Sequence, residues 1–112
     1  MNISIQKNES HTYLKVLNEK LDALLAPDLK SKLVVIVENG EKNILVDLSN
    51  CNYCDSSGMS ALLLGNRLCA GVNGTFVICG LFPQVKEMVD LGGFDSLMKI
   101  ADTKEKAEEF FV

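Results

Sequence analysis

Asn43-Ile44-Leu45-Val46-Asp47-Leu48 is an almost unbroken apolar run, and Asp55-Ser56-Ser57-Gly58 follows it within a few residues. Such a short run is expected of a strand covered on both faces. Beyond the serines, a helix is predicted from about Ser57 to Ala70, with Ala61, Leu62, Gly65, Leu68 and Cys69 on one face. A buried strand feeding a helix through a polar loop is the unit from which parallel sheets are built.

The flanking segments repeat this alternation. Downstream, Asn73-Gly74 is a turn and Thr75-Phe76-Val77-Ile78-Cys79 a second central strand. Pro83 opens a helix carrying Val85, Met88, Val89 and Leu91, and Gly92-Gly93 ends it. Leu97 to Ile100 reads as a short last strand. Asp102 with Glu105 resembles a capping box for a final helix that turns Ala107, Phe110 and Phe111 inward. Upstream, Pro27 and Asp28 open a helix with Leu29, Leu33, Ile36 and Val37 at helical spacing, closed by Gly40. Before it, Ile3 and Ile5 mark an edge strand and Tyr13 to Leu17 a second strand. They are joined through Asn8-Glu9-Ser10-His11 as a hairpin, and Asn18 is a residue type that takes a positive φ more readily than most.

The order β-β-α-β-α-β-α-β-α predicts an α/β fold. It is a mixed, mostly parallel sheet of about five strands with about four helices. At 112 residues the chain reads as one domain, residues 1–112. Hydrophobic residues are 47% and charged residues 23%, a balance that supports a real core. The net charge of −4 would repel a phosphate backbone, which argues against nucleic-acid binding. Neither a signal peptide nor a membrane-spanning run is legible, so the expected location is cytoplasmic, with no membrane partner. The four cysteines then read as free thiols.

Asp55 or Ser56 is expected to cap the helix that follows. A capping role accounts for one polar residue, but not for three in a row before a glycine at the carboxyl end of a central strand, where ligands and modifications gather in α/β sheets. A phosphate there would add nearly two negative charges while the helix start tolerates them. Met59 and Leu63 project off the main apolar face. They read either as packing against a neighbouring loop or as a docking patch beside Ser57.

The stretch Asp55-Ser56-Ser57-Gly58-Met59-Ser60-Ala61-Leu62-Leu63 resembles the signature of the STAS domain family, the anti-sigma factor antagonists. Leu21-Asp22, Asp47-Leu48, Cys79-Gly80-Leu81 with Pro83-Gln84-Val85, and Leu91-Gly92-Gly93-Phe94 are similar to that family's pattern in the same order. The chain departs from it at Asn18-Glu19-Lys20, where a glycine usually precedes the Leu-Asp pair. The resemblance implies a non-enzymatic switch without a cofactor. An ATP-dependent anti-sigma factor serine kinase would phosphorylate Ser57 and a metal-dependent serine phosphatase would reverse it. The unphosphorylated form would bind the kinase and free the sigma factor. Asp22, Asp55, Ser56, Gly58, Met59 and Leu63 would then form the partner-binding surface, with Gly58 admitting the partner's backbone.

Other chemistry is thinner. Cys51-Asn52-Tyr53-Cys54 spells C-x-x-C, the alternative being a small redox protein, although the pair precedes the helix by several residues. An unmodified scaffold or nucleotide-sensing domain of the same fold is the third reading. A single C-x-x-C and one histidine are too few for structural zinc, so no metal site is expected. His11 reads as a turn residue, and Asp22 and Asp47 as backbone-bonding acids at strand ends. Gly71, Gly74 and Gly80 form no phosphate fingerprint. Lys104 to Glu109 reads as a solvated helix face.

Overall fold

The computed structural model describes residues 2–112. In chain order it forms β1 (Ile3–Lys7), β2 (Thr12–Val16), β3 (Lys20–Leu21), α1 (Ala26–Glu38), β4 (Asn43–Asp47), β5 (Tyr53–Cys54), α2 (Ser56–Gly71), β6 (Thr75–Cys79), α3 (Pro83–Leu91), β7 (Lys99–Ala101) and α4 (Lys104–Glu108). Single 3-10 turns follow α3 at Phe94–Ser96 and α4 at Glu109–Phe111. The main sheet runs β1-β2-β4-β6-β7, antiparallel only between β1 and β2. The predicted mixed, mostly parallel sheet with four helices is what the chain forms. The two-residue strands β3 and β5 pair with each other in a separate parallel ribbon. They are too short to leave a periodic signal.

The apolar runs of β4 and β6 are continuous because both faces of the sheet are covered. Ile44, Val46, Phe76 and Ile78 point into one core with Leu29 and Leu33 of α1 and Leu62 and Cys69 of α2. Leu45, Val77 and Cys79 point the other way, under Ala107 of α4 and Phe111. The alternation follows from the strand period of two. α2 lies close on β6: a Cβ at Gly65 would come 2.8 Å from Cζ of Phe76.

Several local expectations are corrected. The positive φ falls on Asn73 (59°), in the turn before β6, and not on Asn18, whose amide instead donates to the Lys20 carbonyl at 2.8 Å. The last helix is capped by Thr103, which accepts from the Lys106 N–H at 3.1 Å; Asp102 is left to a loose pair with Lys106. Ala107 and Phe111 turn inward as expected, but Phe110 is 44% exposed, and Leu91 at 80% faces solvent. The last strand begins at Lys99, with Leu97 outside it.

His11 is more than a turn residue. Only 4% exposed, it stacks on Phe111 with ring centroids 4.5 Å apart, and its Nδ1 lies 2.8 Å from Ser10 Oγ. Burial pushes its pKa below the ordinary value; Glu108 pulls it back up and Lys104 pushes it down. The folded chain therefore holds His11 neutral where the unfolded chain takes up a proton. Stability present above the unfolded value, about 6.5, is lost as pH falls through the lower folded value. The expected result is a urea midpoint that drops between about pH 7 and about pH 5, with a shallower drop in His11→Phe. Parallel pH slopes in the two proteins would count against this.

Candidate functional site

Two loops at the carboxyl end of the sheet build the site. One runs from β2 to α1, the other from β4 to α2. The β4–α2 loop is anchored by Asp47, which is 5% exposed: Oδ1 accepts from the Ser49 N–H at 2.9 Å and Oδ2 from the Tyr13 hydroxyl. The backbone N–H groups of Asn52 and Tyr53 donate to the Glu19 carbonyl at 2.9 and 3.3 Å, and the Asp55 N–H to that of Leu21 at 3.3 Å. The Cys51 thiol donates to the Asn18 carbonyl at 3.2 Å. These bonds bring Leu21 opposite Cys54, and each is followed by an aspartate: Asp22 in the turn before α1 and Asp55 at the N-cap of α2.

Asp22 Oδ1 accepts from the N–H groups of Leu24 and Leu25 at 3.1 and 3.3 Å, just before α1. Asp55 is the N-cap of α2, with Oδ1 accepting from Ser57 at 2.9 Å and Gly58 at 3.1 Å. Asp55 thus satisfies helix-start donors that would otherwise be orphaned, whereas Asp22 holds the turn that leads into α1. The helix begins at Ser56, one residue earlier than predicted.

Ser56 is exposed and Ser57 half-buried. Ser57 lines an open cavity of about 300 Å³ between the two helix starts, with Ala26, Pro27, Lys30, Ser56 and Ser60. Its hydroxyl is in the first turn of α2, reachable from solvent and held by a rigid backbone.

Two predicted site residues stand elsewhere. Met59 is 1% exposed and belongs to the core, so it offers no docking patch. It points inward because the α2 start sits over β3 and β5, which the sequence did not reveal. Leu63 is partly buried and packs against the same core. Gly58 is buried, and a Cβ there would strike the Leu21 carbonyl oxygen and lie 2.7 Å from Cys54 Sγ. Its missing side chain admits the chain's own β3–β5 ribbon and not a partner.

The C-x-x-C pair does not have the electrostatics of a redox site. Cys51 and Cys54 are buried free thiols, pushed by burial up to about 11 and about 12. A redox thiol needs the opposite shift. Among the described residues there is no cluster fit to hold a metal ion, and no helix is long and apolar enough to cross a membrane. The sequence pattern does not single out Lys30, which lines the Ser57 cavity, or Leu24, which is 91% exposed beside Asp22. Nothing in the local pattern separates either from ordinary surface.

A family model described as the STAS domain matches residues 2–107. The chain is 29% identical over 110 residues to the proposed anti-sigma factor antagonist BtrV of Bordetella bronchiseptica, covering 88% of this chain and 95% of that protein. Among solved structures it resembles a proposed anti-sigma factor antagonist from Thermotoga maritima, with a TM-score of 0.86 and 19% identity over 97% of this chain and 93% of that one. It also resembles the Bacillus cell fate determinant SpoIIAA in its phosphorylated form, with a TM-score of 0.74 and 18% identity over 96% of each chain.

Proposed function

Because the chain belongs to the STAS domain family, we propose that it is an anti-sigma factor antagonist whose binding to an anti-sigma factor serine kinase is switched by phosphate on Ser57. The kinase moves the γ-phosphoryl group of ATP to Ser57 Oγ; the hydroxyl proton is lost and ADP leaves. A serine phosphatase hydrolyses the ester and restores the hydroxyl. The protein contributes a binding surface and not a reaction, and its partners place it in the cytoplasm.

The observation that carries this reading is the division of labour in Asp55-Ser56-Ser57-Gly58. Asp55 caps the helix, Gly58 packs on β3, and Ser57 is left half-buried at a cavity with its backbone already fixed by Asp55. Similarity to BtrV along nearly its whole length supports the same reading. A phosphate on Ser57 adds bulk and charge next to the Asp55 carboxylate without removing any bond that holds the loop. The fold stays while a neutral hydroxyl gives way to a bulky anion.

Incubation with ATP and the cognate kinase is expected to add about 80 Da, the mass of one phosphate. Peptide mapping is expected to place it on Ser57. A phosphate found on Ser56 or Ser60 would overturn the site, and no incorporation by any co-encoded kinase would overturn the switch.

A further inference from the structure

We propose that Lys30 is the positioning residue for the modified state: its ammonium pairs with the phosphate of phosphorylated Ser57 across the cavity the two residues share. This rests on the reading of Ser57 as the phosphoacceptor. The start of α2 is not a vacant anion site. Its N–H groups at Ser57 and Gly58 already bind Asp55 Oδ1 at 2.9 and 3.1 Å. A phosphate arriving on Ser57 therefore meets a carboxylate, and its compensation has to come from a side chain.

Lys30 is the one charged residue lining the cavity of about 300 Å³; the rest of the lining is alanine, proline and serine. It lies one turn beyond Ala26 and Pro27 on α1, which also face the cavity. It is half-buried and takes part in none of the ion pairs among the described residues. Its neighbour Lys32 is held by Asp28 at 2.7 Å. The other charged groups around the helix starts are the carboxylates of Asp55, Asp22 and Asp28, the last already engaged by Lys32. They disfavour the dianionic phosphate, and among the side chains that line the cavity only Lys30 carries a charge that favours it. One ammonium against a phosphate of nearly two charges leaves a net negative surface toward a partner. Pairing thus fixes the phosphate's direction without cancelling the signal.

The test installs phosphoserine at position 57 of the full chain during translation, so that no kinase is needed, and follows the phosphate by phosphorus NMR as pH is changed. Its second ionisation, about 6 in a free phosphoserine, is expected to be lower in the otherwise unchanged protein than in Lys30→Gln by about half a unit. Lys30→Arg is expected to retain most of the difference, and salt at about 1 M to erase it. Circular dichroism checks that each variant is folded. Identical titrations in the unchanged protein and Lys30→Gln would overturn the pairing, as would a difference untouched by salt. A kinase that labels another serine would sink the phosphoacceptor reading while leaving this titration interpretable.

Discussion

Exchanging Ser57 for alanine is expected to abolish phosphate incorporation. Exchanging it for aspartate is expected to weaken kinase binding by about two orders of magnitude while the domain stays folded. The alanine removes the proposed phosphoryl acceptor and leaves the α2 cap untouched, because the Asp55 carboxylate binds the backbone N–H of residue 57. The aspartate brings a permanent charge to the cavity that Ser57 lines. A carboxylate in the first turn of a helix is compatible with the dipole, so a Tm change of only a few degrees is expected. A partner shaped for a neutral hydroxyl instead meets a second carboxylate beside Asp55, and burying like charges together costs several kcal/mol. Calorimetry with the purified kinase gives the affinity, and circular dichroism the fold. Residual labelling of Ser57→Ala would relocate the site. Unchanged affinity of Ser57→Asp would remove charge as the mechanism.

Gly58→Ala is expected to be the most damaging single-methyl change at the site, costing about 3 kcal/mol. The added carbon would run into the Leu21 carbonyl oxygen, a backbone atom fixed by the ribbon of β3 and β5, and into Cys54 Sγ at 2.7 Å. Neither can yield without moving the other loop. Gly71→Ala, at the far end of the same helix, meets nothing within 4 Å. It is expected to be neutral or to stabilise by up to about 1 kcal/mol. Urea midpoints of the two variants separate packing from propensity. Equal midpoints would mean that the α2 start shifts freely over β3.

The strong patterns in the sequence translated directly into structure. Asn43 to Leu48 and Thr75 to Cys79 became the doubly covered strands β4 and β6, because burial on both faces leaves a signal in every residue. The hairpin at Asn8 to His11 and the proline-opened helices were equally legible. What failed depended on contacts distant in sequence. For Met59 a helical wheel left packing against a loop and a docking patch both open, and the ribbon of Lys20–Leu21 against Tyr53–Cys54 over that flank decides for packing. Gly58 was read as a gap for a partner because a missing side chain does not say whose backbone fills it. Lys30 was invisible because only the fold places it on the Ser57 cavity. His11 was underestimated because its stacking partner, Phe111, lies at the opposite end of the chain.

The stitching of residues 18–21 to residues 51–55 gives the chain two separate places to adjust recognition. The carbonyls of Asn18, Glu19 and Leu21 hold the segment that presents the serine, while the side chains around them, Leu24 foremost, stay free to vary. Backbone bonds are indifferent to side-chain identity. The exposed positions of this stretch, Glu19, Lys20, Ala23 and Leu24, can therefore be exchanged without loosening the loop, whereas Leu21 is core and Asp22 holds the turn into α1. The recognition proposed for this face is thus tunable from one loop while the proposed acceptor serine stays fixed on the other.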